Sequence, residues 1–326
     1  MKLTARGTRR TRQAAHAPAP RRSLRTRALL LVATATGVLA TLTLAPQAMA
    51  DRTDEARTLA SLPPNGFERP AAGGPYTLDQ WAQDGWNLDP KYTPQGWQNR
   101  TRVDTSTPAH TGSKSLRVHY PKGKIGPLDS GALAPFALPK AREYYLSFWV
   151  KFSSDFSWGT SLYAGKVGLG LAGGKACSGG QACDGTNGFT SRPIWDKSSG
   201  KAGIYYYSMN HESQYGDDII LQRNGTDINW PKNQWVNIVQ RLKVNTVSGS
   251  TANPDGEIEV FYNGQSAAKK TGLRFVSNGD QIDKAYFSSF AGGGTPEFAP
   301  TTDGYIWVDD VKVSTNRSDI CELSGC

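Results

Sequence analysis

Between Lys166 and His211 the chain gathers side chains able to hold an anion and move a proton beside it. Gly165-Lys166-Val167-Gly168-Leu169-Gly170-Leu171-Ala172-Gly173-Gly174 sets one lysine in a glycine-rich loop, Thr190-Ser191-Arg192 follows, and Tyr205-Tyr206-Tyr207-Ser208-Met209-Asn210-His211 closes the stretch. If the last segment is a strand, its side chains alternate, so Tyr205, Tyr207, Met209 and His211 share one face. Two phenols and an imidazole then stand in a row, with Lys166 and Arg192 to supply positive charge. That is equipment for binding an anionic sugar and shifting a proton on it. The only acids from Lys166 to Asn210 are Asp184 and Asp196.

Strands must position these groups. After the Thr111-Gly112-Ser113 turn, Leu116, Val118 and Tyr120 alternate with Ser115, Arg117 and His119 until Pro121. Tyr144, Leu146, Phe148, Val150 and Phe152 alternate with Tyr145, Ser147, Trp149 and Lys151, and the Tyr-Trp-Lys face suits a sugar cleft. Trp235 to Val244 and Glu257 to Tyr262 follow, the latter ending in Asn263-Gly264, a hairpin signal. Ala285 to Phe290 and Tyr305 to Val313 complete the set. With almost no sustained helical period, the pattern predicts an all-β jelly roll, a two-sheet sandwich with one concave sheet. Residues 51–109 read as a loosely structured wrapping segment with a short helix near Leu78 to Gln83, and residues 110–326 as the single jelly-roll domain.

The net charge of +9 does not indicate a nucleic-acid partner. Nine of the 37 basic residues lie in the first fifty positions, which hold no acid, leaving 28 basic against 28 acidic residues in the rest. That basic head, the apolar run Ala28 to Ala45 and Ala48-Met49-Ala50 read as an export signal over residues 1–50. Arg21-Arg22-Ser23-Leu24-Arg25 adds a twin-arginine pattern. The expectation is a secreted, extracellular chain, monomeric, without stable membrane association after cleavage. The four cysteines then pair locally, Cys177 with Cys183 and Cys321 with Cys326, the first tie stiffening the loop after Lys166.

Several stretches together resemble the jelly-roll polysaccharide lyases, most of all alginate lyase family fourteen, with glucuronan lyase family twenty as a neighbour. They are Tyr144 to Phe152, the Gly-Lys loop ending in Gly173-Gly174, Arg192-Pro193-Ile194-Trp195, Tyr205-x-Tyr207, Trp235 with Gln240-Arg241, and Phe290-Ala291-Gly292-Gly293. The resemblance spans roughly residues 110 to 313. It implies β-elimination on an anionic polyuronate, alginate or glucuronan, with Lys166, Thr190, Arg192, Tyr205 and Tyr207 lining the cleft. The chain departs from the family pattern in three places. Its lysine loop lacks a proline and is one residue longer, Thr190 replaces a serine, and the Cys177–Cys183 loop is inserted.

In such a reaction Arg192 suits the substrate carboxylate, because its planar fork binds one bidentately. Tyr205 or Tyr207 takes the carbon-5 proton if a neighbour such as Lys166 lowers its pKa from about 10. His211 is a further acid or base candidate, and Arg117 and His119 are expected to reach the same cleft as substrate contacts. The chemistry requires no cofactor and no catalytic metal. Asp217-Asp218 and Asp309-Asp310 offer oxygens to a structural calcium, although adjacent acids on a strand point to opposite faces. Two other classes compete: a non-catalytic carbohydrate-binding jelly roll, and a glycoside hydrolase, whose acid pair would be sought at Glu257 and Glu259.

Overall fold

The computed structural model describes residues 61–326 other than 161–164, 197, 198, 210, 212 and 324; the export signal lies outside the described residues. In chain order the strands are β1 (Ser61–Asn65), β2 (Thr101–Asp104), β3 (Ser115–Tyr120), β4 (Ala132–Ala141), β5 (Glu143–Phe152), β6 (Gly165–Lys166), β7 (Leu169–Gly173), β8 (Phe189–Asp196), β9 (Lys201–Tyr207), β10 (Asp217–Ile220), β11 (Gln222–Arg223), β12 (Thr226–Asp227), β13 (Trp235–Lys243), β14 (Val247–Ser248), β15 (Thr251–Ala252), β16 (Gly256–Tyr262), β17 (Gln265–Leu273), β18 (Ile282–Ser289) and β19 (Gly304–Ser314). One sheet runs β17-β16-β13-β5-β19-β3-β2 with β1 also on β19; the other runs β10-β9-β8-β7-β18-β4 with β6 on β8. The pairings within both are antiparallel. The protein is a two-sheet jelly-roll sandwich.

Period-two alternation explains which side chains lie between the sheets. From the first sheet, Leu116, Val118 and Tyr120 of β3 and Tyr144, Leu146, Phe148, Val150 and Phe152 of β5 enter the core. From the second come Leu169 and Leu171 of β7, Phe189 and Trp195 of β8, Ala202, Ile204 and Tyr206 of β9, and Ala285 and Phe287 of β18. Polar groups in this layer find partners across it: the buried Gln240 donates a hydrogen bond to Ser191, and the Tyr120 hydroxyl donates to the Lys166 carbonyl at 2.9 Å.

The segment before residue 110 is more ordered than its sequence suggests. It supplies β1 and β2 and the helix at Leu78–Gln83, and it buries Phe67, Tyr76, Trp81, Trp86 and Trp97 in the main core. Trp81 meets Phe136 with ring centroids 4.6 Å apart, and Trp97 meets Phe287 at 4.8 Å. Spaced aromatics of this kind carry no strand or helix period, yet each brings a large apolar area to the core.

One face set by alternation lies away from the expected cleft, and one pair of side chains departs from the alternation argument. The Tyr145, Trp149 and Lys151 face of β5 lies outside the first sheet, away from the Lys166 region; Trp149 is covered there by His110, stacked at 3.6 Å. Asp309 and Asp310 do not point to opposite faces, because β19 bulges at this point and Asp310 takes a left-handed φ of 47°. Both carboxylates turn to residues 110–111: Asp309 accepts the His110 N–H at 2.9 Å, and Asp310 meets the His110 ring and the Thr111 hydroxyl, each at 2.6 Å. The buried Asp309 carboxyl is pushed up to about 7, first by desolvation and then by the charge of Asp310.

Candidate active site

On β8, Phe189, Ser191 and Trp195 turn inward, so Thr190 and Arg192 face out; on β9 the inward Ile204 and Tyr206 leave Tyr205 and Tyr207 on that same outer face. Register then aligns them, Arg192 opposite Tyr205 and Thr190 opposite Tyr207. Across β7 the row continues. Leu171 pairs with Ser191, which sets Gly170 beside Arg192, and Gly170 pairs with Tyr286 of β18. Gly170 is a gap in this row, and a Cβ there would come within 2.8 Å of the Arg192 Cα. The guanidinium therefore lies between two rings, its Cζ 5.5 Å from the Tyr205 centroid and 6.0 Å from that of Tyr286.

Lys166 joins this face from the side. Its strand pairs with β8, its backbone bridges to Phe290, and Gly168 turns the chain with a φ of 61° into β7. The glycine-rich stretch is thus two short strands around a turn. The Lys166 Nζ donates to the Gly292 carbonyl at 2.8 Å and lies 5.4 Å from the Tyr205 ring centroid.

Lys166 is 9% exposed and Arg192 5%. Among the described residues no carboxylate lies within ion-pair distance of either, and the buried Arg192 Nε has no hydrogen-bond partner. Buried charge is costly unless paired, so the Arg192 guanidinium, with the Lys166 side chain beside it, leaves an anion's place in the site. Desolvation, and then the charge of Arg192, bring the Lys166 ammonium down to about 7. Near neutrality much of it is a free amine.

The phenols form a hydrogen-bonded pair, Tyr205 to Tyr207 at 2.9 Å. Each oxygen also accepts a backbone N–H, Tyr205 from Gly216 at 3.1 Å and Tyr207 from Gly180 at 2.9 Å. Burial, then the Tyr207 contact, raise the Tyr205 pKa, opposed by Arg192. Tyr205 is therefore a proton donor at neutral pH.

Both predicted cysteine pairs are disulfides, Cys177–Cys183 and Cys321–Cys326. The first closes the loop that contains Gly180 and packs against Tyr207. Replacing Cys177 and Cys183 together by serine is expected to lower turnover between about 10- and 100-fold through misplacement of Tyr207, with a small change in melting temperature. The matching change at Cys321 and Cys326 should leave turnover unaltered; kinetics and calorimetry of the two variants check this.

Other residues read from the sequence take different places. Thr190 is fully buried and its hydroxyl donates to the Cys177 carbonyl at 3.1 Å, so it anchors the disulfide loop instead of facing a ligand. β9 ends at Tyr207, and His211 lies beyond it, its ring 5.2 Å from that of Tyr207 and both nitrogens against backbone carbonyls, of Ser213 and Gln181. Arg117 and His119 are corrections. They stand on the outer face of the first sheet, Arg117 paired with Asp104 and over Tyr305, His119 stacked on Tyr305 beside Asp303. The sandwich separates them from Lys166. Glu257 and Glu259 form ion pairs with Arg241 on the first sheet. Tyr286 and Phe290 are site residues the sequence reading missed; the alternation of Ala285, Tyr286 and Phe287 was the available signal for Tyr286.

A family model described as polysaccharide lyase 14 matches residues 108–311. The chain belongs to this family. It is therefore an enzyme, a polysaccharide lyase, and not a binding module alone. A search of curated protein sequences found no match. Among solved structures, a lysine-and-methionine-to-alanine double variant of alginate lyase Aly36B, in complex with alginate trisaccharide, superposes with a TM-score of 0.64 at 26% identity, covering 79% of this chain and all (100%) of that one. The marine PL-14 alginate lyase from Aplysia kurodai gives 0.57 at 24% identity, over 69% of this chain and 90% of that one. The alginate lyase vAL-1 from Chlorella virus gives 0.57 at 17%, over 75% and 99%. The last two likenesses are of fold.

Proposed function

We propose that this lyase cleaves a polyuronate, alginate before glucuronan, by β-elimination on the outer face of the second sheet. The observation that carries the reading is the buried pair Lys166 and Arg192, with no carboxylate of the described chain beside either. The alginate bound to the Aly36B variant supports the choice of polymer.

Arg192 holds the carboxylate on carbon 5 and disperses the charge that builds next to it when the carbon-5 proton leaves. The neutral Lys166 amine accepts that proton. The electron pair of the broken C5–H bond forms the C4=C5 double bond, the C4–O4 bond breaks, and Tyr205 gives its proton to the departing oxygen. Tyr207 and the Gly216 N–H hold the Tyr205 oxygen through this transfer; after the product leaves, the Lys166 ammonium gives up its proton and the Tyr205 oxygen regains one by exchange with solvent, which restores both groups. No metal or cofactor takes part in this scheme, and export to an oxidising compartment agrees with the two disulfides.

Ultraviolet absorbance of the new double bond, followed on mannuronate-rich and guluronate-rich alginate, glucuronan and a neutral glucan, tests the reading. Absorbance on a polyuronate alone is expected; new reducing ends without absorbance would overturn it. In the same assay Tyr205→Phe is expected to lose about 10²-fold in kcat with KM little changed, since it removes a proton and leaves the ring. Equal activity of this variant would remove Tyr205 from the proton path.

A further inference from the structure

We propose that Tyr215 is a stacking platform for a sugar ring of the polymer, an outer subsite beside the unit held by Arg192; the inference rests on the lyase reading above. Tyr215 and Leu128 are the large apolar side chains that stand exposed among the described residues, Tyr215 at 57%. An isolated exposed tyrosine is ordinary. The surroundings of this one are not.

The ring lies over Gly180, where a Cβ would come 3.2 Å from the Tyr215 Cε1, and Gly180 has a left-handed φ of 80°. Gly180 is the residue whose N–H holds the Tyr207 oxygen. The residue after Tyr215 is Gly216, whose N–H holds the Tyr205 oxygen. The exposed ring is thus tied on two sides to the backbone donors of the phenol pair, which fixes it at the rim of the site. Its own backbone is set by Ser213, whose hydroxyl accepts the Tyr215 N–H at 3.1 Å and donates to the Tyr215 carbonyl.

A pyranose ring has apolar C–H faces, and an aromatic face with its negative quadrupole attracts them while its edge reaches sugar hydroxyls. Such a platform adds affinity without charge. It therefore complements Arg192, which reads the carboxylate, by gripping a neighbouring unit whatever its ionisation. Chains long enough to lie across the rim gain this contact; the shortest cleavable oligosaccharides do not.

Tyr215→Ala is expected to raise KM for long polyuronate about tenfold with kcat, the pH profile and the KM for the shortest cleavable oligosaccharide unchanged. Tyr215→Phe and Tyr215→Trp should retain the parent KM, because the ring and not the hydroxyl makes the contact. An unchanged KM in the alanine variant would overturn the proposal, as would a phenylalanine variant as impaired as alanine. A fall in kcat with an altered pH profile would also overturn it, since the ring would then only be positioning Tyr205 and Tyr207. Failure of the lyase reading is distinct: the parent enzyme would then release no unsaturated ends from any polyuronate.

Discussion

Replacing Lys166 by methionine is expected to abolish turnover and, at neutral pH, to stabilise the fold. The kinetic loss is that of a general base, about 10⁴-fold, because methionine fills the space and cannot accept a proton. The gain comes from the same burial that makes the lysine reactive. In the unfolded chain its pKa is the ordinary 10.5, and in the fold it is about 7, so between these values the unfolded state binds the extra proton. Stability linked to Lys166 then rises with pH across that window, and the penalty is complete below it. The penalty is on the order of a few kcal/mol at pH 7, against about 1 kcal/mol for leaving the Gly292 carbonyl without its donor. Calorimetry from pH 6 to 10 should show the variant melting several degrees higher at the acid end, with the difference shrinking toward the alkaline end. A variant less stable than the parent at pH 6 would show that the ammonium is compensated in the fold.

The same pKa sets the pH dependence of catalysis. The kcat/KM of the parent is expected to fall below about pH 7 as the free enzyme's amine takes a proton. Once a uronate carboxylate sits beside Lys166, its negative charge favours the ammonium, so the acid limb of kcat should lie at higher pH than that of kcat/KM. The separation between the two limbs measures how closely the bound carboxylate approaches the lysine.

What the sequence disclosed and what it hid divide along physical lines. Period-two alternation located β3 and β5 closely, because strands buried on one face must repeat apolar residues every second position. The same rule put Arg117 and His119 on one face correctly but could not say that this face lies across the sandwich from Lys166, since pairing order between distant strands leaves no local trace. Tyr286 reaches Arg192 only through the β18–β7–β8 register, with Gly170 making room between them. The Asp309–Asp310 pair defeated the alternation argument because a bulge with a non-glycine residue at positive φ is set by tertiary contacts to residues 110–111. Lys166, Arg192, Tyr205 and Tyr207 were singled out in the sequence, Lys166 by resemblance more than by type; the β8–β9 pairing sets Arg192, Tyr205 and Tyr207 on one face, and the β6–β8 pairing with the bridge to Phe290 brings Lys166 beside them.

Arg192→Lys is expected to cost about 10³-fold in kcat/KM although it keeps the charge, because an ammonium cannot grip a carboxylate with two parallel N–H bonds in the slot between Tyr205 and Tyr286. Arg192→Gln is the more informative partner. Arg192 is one of the two causes that depress Lys166, so its neutral replacement lets the Lys166 pKa climb back toward 10.5, with desolvation, the larger cause, still in place. The residual activity of the glutamine variant should therefore require a higher pH than the parent's, and its stability should vary with pH over a narrower window. If the acid limb stays where it is in the parent, the two cations are not electrostatically coupled and the lysine is tuned by burial alone. If it moves up, the chain uses one buried charge both to hold the substrate's carboxylate and to keep its base free of a proton, which explains why a buried lysine lies beside the arginine where a single arginine would suffice for binding.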